Sequence, residues 1–467
     1  MKNIELDYTN LMAPRIGTKH GICHTDIARL LPQAKIHARK LAKHRKEGML
    51  PFFDLPFATK ESQTIISDVK KLKKEFDTIV ILGIGGSALG TIALVDALLP
   101  STHNILPSSK RSGMKIVVLD NIDPDHFTES IKALNLKKTL FNVISKSGST
   151  SETAAQFLII VEMLKEKIGP RWRKHLVVTT DKKIGSLRKL ALKNRFKSYA
   201  VPDNVGGRFT LLSPVCLFPA ACAGIDIMKL LEGAQSMSTN ISATRPDKYI
   251  GYMLAMLTYL LDTKKSKKML VMMPYSSKLF RVADWFRQLW AESLGKKRNL
   301  NGKNIYNGQT PINGLGATDQ HSQMQLYVEG PFDKVILFIK INQFENTVSI
   351  PNLYTDYSSF GYLNGQSLNN LITVEQAGSQ YALTKNRRPN MTLTIDKVNP
   401  HSIGALLYML ETATAFAGNL YNVNTFDQPG VEFGKNYTYA RLNRIGYESQ
   451  SKKLHNLIEQ DSDEFLI

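Results

Sequence analysis

Cysteine is scarce in this chain. Three occur in 467 residues, Cys23, Cys216 and Cys222, with no CxxC pair and no Cys/His ligand spacing. An odd count without such pairs argues against a disulfide framework and against a zinc site. No apolar run reaches the roughly 18 residues that a membrane-spanning helix needs. The first twelve residues carry Glu5 and Asp7 and no apolar h-region, so no secretory signal is evident and a reducing cytoplasm is the expected compartment. Acidic residues are outnumbered, 40 against 60 basic, for a net charge of +20. The surplus is nevertheless scattered in short clusters: Lys70, Lys71, Lys73 and Lys74; Lys264, Lys265, Lys267 and Lys268; Lys296, Lys297 and Arg298. No stacking array of aromatics accompanies them, and helix-turn-helix, RRM and finger signatures are absent. The clusters read as solvated faces with a general attraction for anions, so neither nucleic acid nor membrane is an expected partner. Glu459, Asp461, Asp463 and Glu464 make a tail of opposite sign. The Walker A spacing is also missing.

With 43% hydrophobic and 21% charged residues the chain can bury a large core, and its length suits two large domains or three smaller ones. Residues 1–60 read as helical, with 26–46 the clearest helix, closed by Gly48 and Pro51. Apolar, β-branched runs then alternate with amphipathic ones. Residues 76–82 (FDTIVIL), 114–119 (MKIVVL), 140–144 (LFNVI) and 176–180 (LVVTT) are predicted strands, with a helix over 153–167. A second series holds strands at 268–274 (KMLVMMP) and 334–341 (KVILFIKI), with a helix over 278–294 between them. Residues 233–245 are a plausible connection between the halves. The tail from Pro400 reads as helical, with a polar interruption over 422–435. Strands spaced by helices predict an α/β fold with parallel sheets covered on both faces.

Six segments could carry chemistry. GIGGSALG (83–90) follows a strand and opens a helix, where backbone N–H groups can approach an anion. It fits a dinucleotide fingerprint, but the acidic residue expected about 20 residues later is missing. Asp120, further on, suits a turn. SKSGSTSET (145–153) gathers six hydroxyls, a lysine and a glycine ahead of a helix, either an oxyanion cradle or a Ser/Thr-rich turn with a capping box. NVGGRFTLLS (204–213) sets Arg208 after two glycines, where its fork can meet a charged group or lie at the surface. Glu292 ends a helix whose apolar face holds Trp285, Phe286, Leu289 and Trp290; it is either a desolvated base or a solvated helix-end carboxylate. His321 in GATDQHS (316–322) is a proton carrier or a structural loop residue. Lys435 closes FDQPGVEFGK (426–435) and can face an anion, act as an acid, or point to solvent.

In their order and joint content these segments resemble the phosphoglucose isomerase family, from about Pro56 to Lys435. DNVGGRFTLLSPVC (203–216) and GNLYNVNTFDQPGVEFGK (418–435) match its long signatures, and LGIGGSALG, SKSGSTSET, AESLGK and GATDQHS fall in its order. The chain is similar to the shorter bacterial members. The resemblance implies two sugar-isomerase (SIS) domains, each a five-stranded parallel sheet in a three-layer αβα arrangement. The expected division is a helical segment over 1–50, SIS domains over 51–235 and 236–425, and an active-site segment and tail over 426–467. It also implies interconversion of glucose 6-phosphate and fructose 6-phosphate with no cofactor and no metal, in a homodimer with a shared site. On that resemblance Glu292 is the base moving a proton between C1 and C2, and Arg208 stabilises the enediolate. His321, reaching in from the neighbouring subunit, and Lys435 open the ring. Ser145, Lys146 through its backbone, Ser147, Thr150, Thr153 and Ser87 anchor the phosphate, and Gln428 contacts the sugar. Glu152 is a secondary candidate to orient His321. Two other readings stay open at this level: a sugar-phosphate-binding protein without catalysis, and an NAD-dependent oxidoreductase using residues 83–90.

Overall fold

A computed structural model describes residues 4–449; the acidic group over 459–464 lies outside the described residues. Strands alternate with helices as expected. The strands are β1 (Ile4–Asp7), β2 (Thr78–Leu82), β3 (Lys115–Leu119), β4 (Thr139–Ser145), β5 (Leu176–Asp181), β6 (Lys197–Val201), β7 (Met269–Pro274), β8 (Lys296–Arg298), β9 (Asn304–Asn307), β10 (Thr310–Asn313), β11 (Lys334–Gln343) and β12 (Asn390–Lys397). They form a first sheet, β3-β2-β4-β5-β6, a second, β1-β12-β11-β7-β10, and a two-stranded ribbon, β8-β9.

All pairings in the first sheet are parallel. Every residue of β2 and β4 is buried, as expected for strands covered on both faces. The pleat sorts them: Ile79 and Ile81 face the large central core, whereas Val80 and Leu82 face an outer layer with Phe157, Ile160 and Trp172. The second sheet is not wholly parallel. β1 joins it antiparallel along β12, with Ile4 opposite Ile395 and Leu6 opposite Leu393. Residues 1–60 are therefore not all helical; the four-residue IELD alternates buried and more exposed positions, too short a pattern to stand out in the sequence.

The central core is shared by both sheets, since Ile79 of β2 and Leu270 of β7 belong to one cluster. Its axis is the helix Pro400–Leu420, buried almost throughout and capped by Asn399 Oδ1, which accepts from Ser402 N at 2.9 Å. This helix meets the helix Ile227–Thr239 through two glycines. A Cβ on Gly404 would stand 1.9 Å from Leu230 O, and one on Gly233 would stand 1.8 Å from His401 O. Residues 233–239 are thus helix, not the connection read from the sequence; Gly233 is there for a close helix crossing.

Candidate active site

Both sheets present loops at the carboxyl ends of their parallel strands, where α/β folds place ligands. In the first, β2 runs into residues 83–87 and the helix Leu89–Leu98. Gly86 packs against the next motif: its Cβ would lie 2.4 Å from Gly207 O and 2.9 Å from Arg208 N. A Cβ on Gly90 would meet Cys216 Sγ at 2.7 Å. At these two positions glycine is explained by close packing, turn on turn at Gly86 and helix on helix at Gly90, without a dinucleotide. Ser87 is half-buried on the turn Gly85–Ser87.

The hydroxyl loop follows β4. Ser145 Oγ meets Thr150 Oγ1 at 3.1 Å and accepts from Gly148 N at 3.1 Å, while Ser147 Oγ accepts from Ser149 N at 3.3 Å. Thr150 is the N-cap of the helix Ser151–Ile168, but its side chain makes no capping bond; it is turned to Ser145 instead, so the expected capping box is not formed there. Ser145 and Thr153 are buried, and Thr153 Oγ1 is an enclosed hydroxyl with no partner. Ser147 is exposed. Lys146 Nζ leaves the loop and donates to Val205 O at 2.7 Å, tying this loop to the one that carries Arg208.

Arg208 is 2% exposed. Its Nε donates to Ser293 Oγ at 2.7 Å. Its Nη2 donates to Glu292 O at 3.4 Å, to Asp427 O at 3.1 Å and, more closely, to Thr425 O. Its Nη1 has no hydrogen bond but stands 3.5 Å from Glu292 Oε2. Burial lowers the pKa of this guanidinium from its ordinary value, and the negative charge of Glu292, then Asp427, works against that shift. The Glu292 side chain is 31% exposed, so it is neither a fully solvated helix end nor sealed in the core. It lies on the helix Phe280–Leu294, whose apolar residues Trp285, Phe286, Leu289 and Trp290 are all buried.

Two residues beside it do not stand out in the sequence. Gln288 is one turn earlier on the same helix face and donates to Glu292 Oε1 at 3.2 Å. Its own Oε1 is enclosed without a partner, and a Cβ on Gly85 would touch its Nε2 at 3.1 Å. The i, i+4 spacing is the available signal. Lys296, read as part of a solvated charge run, is buried. Its Nζ donates to Glu292 O and, at 3.0 Å, to Asp427 O. Burial, then Arg208, lowers its pKa. Nothing local in KKR distinguishes it, because its acceptor at Asp427 is 131 residues away.

Gln428 follows Asp427 and is half-buried. Lys435 is on the helix Glu432–Arg441, inside what reads from the sequence as an irregular interruption. It is exposed and donates to Glu432 Oε1 at 2.8 Å. With Gln428 it lines an open depression of about 420 Å³. His321 ends the exposed turn Thr318–His321 after β10. That turn is held by Asp319, whose Oδ2 accepts from Leu315 N at 2.7 Å. Among the described residues no hydrogen bond or ion pair joins His321 to Glu292, Arg208 or Glu152. One chain thus gathers Glu292, Arg208, Gln288 and Lys296 with the backbone carbonyls of Thr425 and Asp427, and among the described residues no hydrogen bond or ion pair adds His321 to them.

Residues 61–457 match the family model for phosphoglucose isomerase. A glucose-6-phosphate isomerase of Carboxydothermus hydrogenoformans is 42% identical over 97% of this chain and 97% of its own. One of Rubrobacter xylanophilus is 38% identical over 96% of this chain and all of its own. Among solved structures, a hypothetical protein of Thermus thermophilus aligns over 94% of this chain and 99% of its own, with a TM-score of 0.82 at 35% identity. A glucose-6-phosphate isomerase of Chlamydia trachomatis shares the fold, with a TM-score of 0.73 over 86% of this chain and 77% of its own at 24% identity. The chain belongs to the phosphoglucose isomerase family.

Proposed function

We propose that the protein interconverts glucose 6-phosphate and fructose 6-phosphate through an enediolate. The observation that carries this reading is the pairing of a part-exposed carboxylate, Glu292, with a buried guanidinium, Arg208, at 3.5 Å. An aldose–ketose isomerisation needs a base that removes a proton from one carbon and returns it to its neighbour. It also needs a fixed positive charge where the enediolate oxygens develop negative charge. Arg208 is held by four protein acceptors, so little reorganisation is needed when that charge appears. In this reading Glu292 is the base, and Gln288 fixes the orientation of its carboxylate.

The phosphate anchor is the loop 145–150, with Ser145, Lys146 N–H, Ser147 and Thr150, supported by Ser87 and Thr153. Binding energy from the phosphate, remote from the reacting carbons, orients the chain for proton transfer. Gln428 contacts the sugar, and Lys435 and His321 open the ring. On the family resemblance each subunit of a homodimer lends its histidine to the other's site, and among the described residues no hydrogen bond or ion pair ties His321 to Glu292 within one chain. The chain then divides into SIS domains over 51–235 and 236–425, with β1 completing the second sheet and residues 426–467 as active-site segment and tail. The place of action is the cytoplasm. The test is conversion of fructose 6-phosphate by the purified protein, followed with glucose-6-phosphate dehydrogenase and NADP. Absence of NADPH formation by folded protein would overturn the reading.

A further inference from the structure

The amino-terminal edge of the second sheet, opposite the strand ends that carry the catalytic loops, gathers cations around one ring. Lys267 lies just ahead of β7, Phe332 and Asp333 just ahead of β11, and Arg388 just ahead of β12. Phe332 is 43% exposed. His20 stacks on it at 4.0 Å between centroids and 9° between planes, and Arg388 Cζ lies 3.5 Å from the same centroid. Two groups that close to one centroid must cover opposite faces, so the ring is sandwiched.

The cations here are enclosed and short of acceptors. Lys267 is 1% exposed; its Nζ donates to His20 Nδ1 at 3.2 Å and to Phe332 O at 2.5 Å. Arg388 is 6% exposed, its Nε is sealed without a partner, and its guanidinium donates no hydrogen bond to any described residue. Arg208, at 2% exposure, finds four acceptors; Arg388 finds none among the described residues. Lys19 and Arg387 stand beside the pair with exposed side chains. The nearby carboxylate, Asp333, is already taken by Lys334 at 2.5 Å, and Lys265 is taken by Thr18 O at 2.7 Å.

We infer that this edge is a binding site for a phosphate anion, inorganic phosphate or a phosphate monoester, held by Lys19, Lys267, Arg387 and Arg388 beside Phe332. Such an ion supplies the acceptors that the arginine lacks and offsets like charges held together out of water. The local potential agrees. Burial, then Lys267, Lys19, Arg388 and Arg387, hold His20 down to about 4. Burial, then Arg388, with Lys265 and Lys19 adding and Asp333 opposing, bring Lys267 down to about 8. The site shares no residue with the loops assigned to the substrate.

His20 is the probe. Its ring signals, assigned by their loss in His20→Gln, are titrated by NMR in sodium phosphate, in glycerol 3-phosphate, and in NaCl of equal ionic strength. Its titration is set by burial, Lys267, Lys19, Arg388 and Arg387, while Asp333, paired with Lys334, and Lys265 act on Lys267 beside it. A saturable rise of its pKa by about one unit in either phosphate, relative to NaCl, is expected. Which of the two acts identifies the source of the anion. The rise should vanish in a Lys19→Gln/Arg387→Gln variant of unchanged circular dichroism, and in Arg388→Gln read the same way. Identical titrations in all three salts, or a rise that survives both variants, would overturn the assignment.

Discussion

Glu292 Oε2 lies 3.5 Å from Arg208 Nη1, the one nitrogen of that guanidinium left without a hydrogen bond. The other two are committed to Ser293 and to three backbone carbonyls. The arginine therefore has a fixed posture and one free edge, and the base sits at that edge.

Glu292→Gln keeps the shape of the base and removes its ability to accept a proton. Isomerisation should fall roughly 10²–10⁴-fold or more, with sugar-phosphate binding by calorimetry nearly unchanged. Near-normal turnover would take Glu292 out of its role.

Arg208→Lys retains one charge but cannot reproduce a fork that reaches Ser293 and three carbonyls at once. Stability should drop by about 1–3 kcal/mol, the range for leaving buried acceptors without their donor, read from urea denaturation, and kcat should fall with it. A variant as stable and as active as the parent would show that the fork geometry is dispensable.

Thr150→Ala removes the hydroxyl that meets Ser145 Oγ. A contact that is uniform between ground and transition states appears in KM more than in kcat, so KM for fructose 6-phosphate should rise by the larger factor. Phosphate-free sugars binding as well as their phosphates would contradict the anchor.

Subunits carrying His321→Ala and Glu292→Gln should complement when mixed and reassociated, if the histidine is supplied across the dimer. Random pairing makes about half of the dimers mixed, each with one intact site, so roughly a quarter of the unsubstituted protein's activity should return. The His321→Ala parent is assayed with cyclic and open-chain substrate, because ring opening also proceeds unaided. Exchange without recovery would place His321 in its own subunit's site or outside the chemistry.

Gly404→Ala would put a Cβ 1.9 Å from Leu230 O, forcing the two central helices apart. A loss of roughly 1–3 kcal/mol is expected for such overpacking, measured by thermal unfolding. An unchanged melting temperature would mean that the crossing relaxes freely.

The predominantly apolar, β-branched runs at β2, β4, β5 and β7 are legible in the sequence because strands buried on both faces carry few charged positions. β12, NMTLTIDK, is not: it mixes Thr, Asn and Asp into its pattern, and its strand character comes from lying between β11 and β1. β6 begins on an exposed lysine and escapes notice for a similar reason. At the site, Glu292 and Arg208 each leave two readings open until the resemblance chooses between them. Gln288 is recoverable from its spacing. Lys296 is not, since a lysine reads as surface until the carbonyl it serves is known.

The bonds of Arg208 also impose an order on the chain's synthesis. Its acceptor at Thr425 lies 217 residues downstream. A nascent chain can complete the first sheet, with strands ending at Val201, long before that carbonyl leaves the ribosome. Until then the arginine can meet Ser293 and Glu292 but lacks the carbonyls of Thr425 and Asp427. A message broken between codons 208 and 425 therefore yields a polypeptide that keeps the hydroxyl and glycine loops but lacks the Thr425 acceptor of its guanidinium.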